Sequence, residues 1–407
     1  MLMIEGCTKS SGSKPNLQLN ARLEAIRQAG FPVTLPELND WYAVPSDTEN
    51  AAPIYADAFS ALSGLVPTSP GFLTRKARVL ELLHQAASRP KCRFDSDLTQ
   101  GANALMPHLP QLKRAAQLLA DEANAQAANG NMDLAARSLL DGLRLVRSVE
   151  EEPILLSRVI QFASANVIET SLESILNKKK FSEEQLDALQ AAFREAESGV
   201  SLTRPVAGER AMGIAVFQLP PAEQVQLVAK MQKPPVVMDF EAYWKSSTYR
   251  SDYDTYLELM DKGVTASALP FPQSLDQIGQ WTAQVHEVKK KGYLVSEMLL
   301  PQLESALERA AECAARLRIA QAVLAVERYR LAHSNTLPDS LPQLVPQFLA
   351  AVPSDPFDGQ PVRYEQLPST GLLVYSIGKD RQDDRGTVRP PGAHGDTAYD
   401  ITFLVKR

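Results

Sequence analysis

Cysteine is nearly absent from this chain: three residues in 407, Cys7, Cys92 and Cys313, far apart and in no Cys-x-x-Cys pair. That spacing excludes a disulfide framework and a zinc site built on paired thiolates. Apolar runs are short, and none approaches the roughly 18 consecutive residues that a membrane-crossing helix needs. Basic clusters are missing as well. With 42 Lys and Arg against 48 Asp and Glu the formal charge is -6, so the chain carries no footprint for nucleic acid. Its one basic run, Lys178-Lys179-Lys180, falls at the end of an expected helix, where cations complement the helix dipole. Catalytic signatures are scarce too. There is no Gly-x-Ser-x-Gly elbow, no Gly-rich phosphate loop and no His-Glu-x-x-His. The five histidines, His84, His108, His286, His333 and His394, stand singly, and His286-Glu287 lacks the second histidine four residues after the first.

What the chain does have is the composition of a folded protein, 44% hydrophobic and 22% charged, which sets it apart from disordered sequences. Its length implies about two domains. We expect a flexible tether over 1–16, a helical domain over 17–300 with an irregular proline-rich insert around 199–272, and an α+β module over 301–407. Within the tether, Cys7 precedes Thr8-Lys-Ser-Ser-Gly-Ser-Lys-Pro, a polar spacer of the kind that follows an acylated lipoprotein cysteine. The six residues before it hold no hydrophobic segment of the length an export signal needs. Cys7 is therefore a candidate lipid anchor, with a cell-envelope location, only if such a signal lies upstream of Met1. Otherwise the sequence reads as cytoplasmic, and membrane contact depends on Cys7 alone.

Apolar spacing predicts a helix over 17–30 ended by Gly30, then an extended segment over 31–45 carrying three prolines and pinned by Trp41-Tyr42. Another helix opens near Asn50, with Pro53 tolerable only in its first turn. From 112 to 198 the pattern is continuously helical. Leu112, Ala115, Leu119, Ala123 and Ala127 form one stripe; Ala135, Leu139, Leu143 and Val146 form the next, across the break at Asn129-Gly130-Asn131. Ala127-Ala-Asn-Gly-Asn-Met-Asp-Leu-Ala-Ala resembles the core of one tetratricopeptide-like hairpin. Ser182-Glu-Glu-Gln185 has capping-box spacing. The whole reads as mainly α, an antiparallel helical array. Such arrays bind a protein or peptide partner through a concave face. In the insert, Trp244, Tyr249, Tyr253 and Tyr256 make either a plug over the array or a binding surface. Asp239, Glu241 and Asp252 in the same stretch nominate an alternative function, an extracytoplasmic hydrolase with a carboxylate site between the helices and the aromatic segment.

The last hundred residues are patterned differently. Leu303, Ala310, Leu317, Leu324 and Leu331 recur every seven residues, with Leu307, Ala314, Ile319, Val323 and Val326 widening the stripe. Glu304, Glu308, Arg309, Glu312, Arg316, Glu327 and Arg328 on the other face read as solvent-facing. A short helix then tucks Leu341, Leu344 and Val345 inward, and Asp358-Gly359 marks a turn before strands expected at 362–366, 372–377 and 399–405. Three strands are too few to stand alone, so they are laid across the apolar stripe of the long helix as a three-stranded antiparallel sheet. Asp355-Pro-Phe-Asp-Gly, Ser376-Ile-Gly-Lys-Asp380 and Asp400-Ile, in this order behind a long helix, resemble the globular part of type II secretion major pseudopilins. The resemblance covers about a quarter of the chain, and the family's N-terminal hydrophobic helix has no counterpart before it. It implies the α+β fold without the filament function, and a calcium site at Asp380, Asp383, Asp384, Asp396 and Asp400, hard oxygen ligands of the type calcium takes. Lys379, Arg381, Arg385 and Arg389 in the same loop offer those carboxylates a metal-free alternative. The leading function is therefore a non-enzymatic cell-envelope protein, its helical surface binding a protein or peptide and its C-terminal module docking.

Overall fold

The computed structural model describes residues 17–65, 68, 71–231, 240–368, 371–387 and 399–406. Helices dominate: α1 Leu17–Gln28, α2 Leu35–Trp41, α3 Ala52–Ser63, α4 Phe72–Ala87, α5 Leu109–Ala128, α6 Met132–Arg147, α7 Leu155–Leu176 and α8 Glu183–Ser198 come first. Then follow α9 Thr203–Gln218, α10 Pro221–Met231, α11 Phe240–Lys245, α12 Ser247–Ala268, α13 Gln273–Lys290, α14 Leu294–Leu299 and α15 Leu303–Ala332. Three strands close the chain: β1 Arg363–Leu367, β2 Gly371–Ser376 and β3 Ile401–Val405. Among the described residues no helix is long and apolar enough to cross a membrane.

Local chemistry explains most boundaries. α1 stops ahead of Gly30, whose φ of +83° is open to glycine at little cost. The segment 31–45 is not extended throughout, as its prolines suggested, because α2 forms inside it. The Thr34 hydroxyl accepts from the Glu37 amide at 3.3 Å, and the Glu37 carboxylate accepts from the Thr34 amide at 3.2 Å. This reciprocal cap outweighs the prolines, since Pro36 falls in the first turn, where its missing N–H has no partner to lose. Trp41 and Tyr42 still pin the segment: Tyr42 is buried and Trp41 half-buried. Pro53 likewise lies in the first turn of α3.

The two predicted stripes are buried, Leu112, Ala115, Leu119 and Ala123 on α5 facing Ala135, Leu139, Leu143 and Val146 on α6. α5 also packs on α7, and α6 on α7 and α8. The long helix α15 lies against α7, α8 and α13 and also meets β2 and β3. Being covered on so many sides, it differs from the expectation of one wet face. Leu303, Ala310, Leu317 and Leu324 are buried as predicted, but Leu331 emerges at 46% exposure. Glu327, expected in solvent, is buried and paired with Arg330 at 2.8 Å. Arg318 reaches Glu197 and Arg328 reaches Glu183 on α8, both at 2.7 Å. Helical spacing marks those positions as polar, whereas a facing helix of opposite charge lets them be covered. Leu341 and Leu344 tuck inward; Val345, at 37% exposure, does not.

The sheet runs β1-β2-β3, antiparallel, with Val374 opposite Tyr364 on one side and Phe403 on the other. β2 is buried along its length. β3 is an edge strand, and an uncovered edge invites pairing with other chains. Here α7 covers it. The Leu404 amide donates to Glu173 at 2.8 Å, Asn177 donates to the Leu404 carbonyl at 2.7 Å, and the Lys406 amide donates back to Asn177 at 2.8 Å. One apolar core runs without a break from α3 through α15 into β3.

Candidate functional site

A concavity of about 1040 Å³ lies where the N-terminal segment meets the ends of α4 and α6. Its first wall is locked by Asn50, whose side chain accepts from the Arg93 amide at 3.0 Å and donates to the Arg93 carbonyl at 3.3 Å, tying the start of α3 to the segment after α4. Arg93 in turn is buried over the Tyr42 ring at 4.5 Å and donates to the Tyr42 carbonyl. The opposite wall carries Trp41 with the Arg204 guanidinium 4.0 Å above its face. Ala43, Val44 and Pro45 form an apolar lip, and Val44 is 73% exposed.

Charge in the cleft departs from that of the whole chain. Arg89, Lys91, Arg144, Arg147 and Arg204 line it, against Glu150, Glu151 and Glu195. Lys91 pairs with Glu49 at 2.9 Å, Arg147 with Glu150 at 2.9 Å and Glu195 at 2.7 Å, and Arg204 with Glu151 at 3.4 Å. Arg144 meets Asp141 at 2.9 Å. Arg89 donates to the Thr48 carbonyl. On the floor sits Tyr55, fully buried, its hydroxyl without a hydrogen-bond partner.

Beneath that floor, His84 of α4 lies between two carboxylates, Nδ1 2.7 Å from Asp141 of α6 and Nε2 2.8 Å from Glu122 of α5. The bonds to Asp141 and then Glu122 outweigh burial and push the imidazole up to about 9, so it is cationic at neutral pH. Burial alone raises the Glu122 carboxyl, but its bonds with His84 and Ser138 prevail and hold it below its ordinary value. The charged ring staples three helices. Because its folded value stands above the ordinary 6.5, this contribution is fully present below pH 6.5 and is lost as pH rises through about 9. The unfolding free energy should fall by about 2 kcal/mol between those limits, relative to His84→Gln, after allowing for partial solvent screening. Urea titrations of both proteins across pH 6 to 10 read this difference, and parallel curves would remove the staple.

A second cavity, about 330 Å³, shares Trp41, Glu150, Glu151 and Arg204 with the first and prolongs it toward the start of α9. Arg158 on its wall is buried, donating to Gln161 at 2.6 Å and to the backbone carbonyls of Gly199 and Glu150. Burial draws its guanidinium down to about 10. Nearby, Ser157, Glu152 and His108 are all buried, yet they do not form a nucleophilic triad. The Ser157 hydroxyl donates to Glu152 at 2.6 Å, and the same carboxylate oxygen meets His108 Nε2 at 3.1 Å, so the serine is directed at the carboxylate rather than the imidazole.

The residues nominated from sequence lie elsewhere. Tyr253 and Tyr256 are buried against Phe217, with ring centroids at 4.4 and 5.3 Å, so they belong to the core between α9 and α12. Tyr249 and Trp244 are half-buried beside them; Trp244 donates to Gln224 at 3.1 Å. Asp252 is fully buried and accepts from Tyr243 and from the Val295 and Ser296 amides at 3.0 and 3.1 Å, which holds the start of α14. Burial raises its carboxyl, but it lines neither cavity above. Asp239 and the Glu241 side chain fall outside the described residues, so of the three nominated carboxylates only Asp252 is described, and it is committed to α14.

In the acidic loop, Asp380 accepts from the Gln382 amide, and Asp383 accepts from Tyr375 at 3.2 Å and the Arg385 amide at 3.0 Å. Asp400 is buried, accepts from the Gly386 amide at 2.7 Å, and has its carboxyl raised by burial. One oxygen each of Asp384 and Asp400 is buried without a hydrogen-bond partner. Asp396 and Cys7 lie outside the described residues. Among the described residues no three His, Cys, Asp or Glu side chains gather in a metal-binding group.

Sequence reasoning singled out Trp41 as a pinning residue, but it missed the cleft's cations. They are spread from Arg89 to Arg204 with no local spacing to mark them. Comparison of the chain with protein-family models, with curated proteins and with solved structures returns no match.

Proposed function

We propose that this chain is a non-enzymatic cell-envelope protein that holds an extended segment of a partner polypeptide in the cleft beside Trp41. The reading keeps the long helix and sheet as a pseudopilin-like docking module, and Cys7 as a lipid anchor. The observation that carries it is the cleft itself, about 1040 Å³ and continuous with a second cavity of about 330 Å³. The first cavity stands at the top of the range for small-molecule pockets, about 1,000 Å³, and the second adds length along Trp41 and Arg204, which suits an extended chain segment. Its lip of Val44 and Pro45, its aromatic wall and its charged flanks give the mixture of apolar anchor and polar rim that peptide recognition uses.

Fluorescence anisotropy with a pool of N-terminally labelled random octapeptides tests the binding reading. Trp41→Ala should weaken the pool's binding about 10-fold while the protein stays folded, as expected when an aromatic anchor is truncated. Equal binding by both proteins, or none by the wild type, would remove the cleft from the proposal. The anchor is tested separately, by incorporation of a labelled fatty acid in cells, which Cys7→Ser should abolish.

A further inference from the structure

One edge of the cleft wall is a strand edge without a strand beside it. Before α3, residues 49–51 pair with Lys91 in a parallel bridge: the Ala51 amide donates to the Lys91 carbonyl at 2.8 Å, and the Lys91 amide donates to the Glu49 carbonyl at 3.2 Å. The Asn50 side chain takes both backbone groups of Arg93 on the same side. In an extended chain the backbone groups of successive residues point to opposite edges, so those of Pro90 and Cys92 point away from α3. Phe94, on that second edge, shows what they face, since its amide donates to the Tyr42 hydroxyl at 3.2 Å. The edge therefore looks toward the segment that leaves α2. The cleft lies between, lined by Pro90 and Cys92 on one side and by Ala43, Val44 and Pro45 on the other. Among the described residues no hydrogen bond engages the Pro90 carbonyl, the Cys92 amide and carbonyl, or the backbone of Ala43 and Val44. Cys92 is half-buried, and an open edge of this kind is a template for another chain.

We infer that the cleft takes its polypeptide ligand by strand addition: an extended segment lies along Pro90 to Cys92, between the two walls, and bonds the Cys92 amide and carbonyl through its own main chain. This rests on the polypeptide reading above. The edge offers an acceptor at Pro90, then a donor and an acceptor at Cys92, which is the pattern one strand presents to another. A polypeptide main chain repeats the complementary groups at the same spacing. Because that main chain is uncharged, the ion pairs of Lys91, Arg144, Arg147 and Arg204 remain intact when the ligand is bound. Affinity then comes from backbone bonds that every sequence can make, and selection among sequences is left to Trp41 and the lip at Val44.

The test uses the full chain and two pools of N-terminally fluorescein-labelled random octapeptides, one ordinary and the other N-methylated at every peptide bond, which keeps the side chains and removes the main-chain donors. Read by anisotropy, the N-methylated pool should bind about 10-fold more weakly, the loss expected for one or two hydrogen bonds. Amide hydrogen exchange of the wild type, resolved to single residues, supplies the second readout. Saturation with the ordinary pool should slow exchange at Cys92 about 10-fold or more and leave Ala51 unchanged, since the Ala51 amide is already bonded to Lys91. If the two pools bind equally, or if the ordinary pool binds and exchange at Cys92 does not change, strand addition is overturned while the polypeptide reading stands. If neither pool binds, both fall.

Discussion

Replacing Asp355 by alanine should cost about 3 to 5 kcal/mol of stability, the range for removing one partner of a buried charged network. Asp355 is fully buried. Its carboxylate accepts from the Phe357 amide at 3.0 Å, the Ser376 hydroxyl at 2.8 Å, the Ile377 amide at 3.0 Å and Arg363 at 2.6 Å. Four donors from a loop, from β1 and from the end of β2 thus converge on one side chain, and alanine would strand three of them away from water. Arg363 would retain Asp358. Asp355→Asn preserves the shape but turns one oxygen into a donor facing other donors, so it should recover only part of the loss. Urea unfolding monitored by circular dichroism measures both variants, and a cost below about 1 kcal/mol for the alanine would show that the network is dispensable. This result bears on the resemblance as well. The Asp-Pro-Phe-Asp-Gly and Ser-Ile-Gly segments are joined through Asp355, which gives both a structural role.

The second large effect is steric. In α9, a Cβ placed on Gly208 would sit 1.9 Å from the Pro153 carbonyl oxygen and 2.9 Å from its carbon, and both atoms are backbone. No rotamer relieves such an overlap. α9 would have to lift away from the segment that starts α7, carrying with it the buried side chains of Val206, Arg210 and Ile214. Gly208→Ala should therefore destabilise by about 3 kcal/mol or more, at the upper end of overpacking changes. The same substitution at Gly279 in α13 has the opposite sign. Its Cβ would meet nothing within 4 Å, and alanine's better helix propensity should add about 0.5 to 1 kcal/mol. Two chemically identical changes with opposite outcomes in one urea series test whether α9 touches the Pro153 backbone; similar midpoints for the two variants would contradict that contact. The consequence reaches the cavities, because Arg204 and the edge of the second one are carried by the first turn of α9.

Much of the fold could be read residue by residue. The stripe of Leu112, Ala115, Leu119 and Ala123 becomes a buried helix face because 3.6-residue periodicity and burial are two views of one geometry. Ser182 caps α8 by accepting from the Gln185 amide, which needs only residues three apart. Asp358-Gly359 makes its turn, with Gly359 at φ +76°, and the three strands expected after it form and pair antiparallel. The misreadings also have causes. At Thr34 the prolines drew attention from a capping pair that overrode them. On α15, Arg328 reads as solvent-facing from its charge and spacing, but Glu183 and Asp187 on α8 lie opposite it. In the 244–256 stretch, where packing and binding both stand open in the sequence, Tyr253 and Tyr256 meet Phe217, thirty-six and thirty-nine residues earlier, and take the packing role.

By itself, then, the sequence determined the helices between 112 and 198 with their apolar stripes, the long helix α15 and the three strands after it, because these depend on neighbours within a few residues along the chain. Only the tertiary structure decided that Tyr55, Arg89, Arg144 and Arg204 share one cleft, that His84 is held charged between Glu122 and Asp141, and that Asp252 is committed to holding α14. Those outcomes arise from the relative placement of helices. Electrostatic balance and hydrogen-bond satisfaction are set by distances across space, and residues tens of positions apart or more carry no local trace of them.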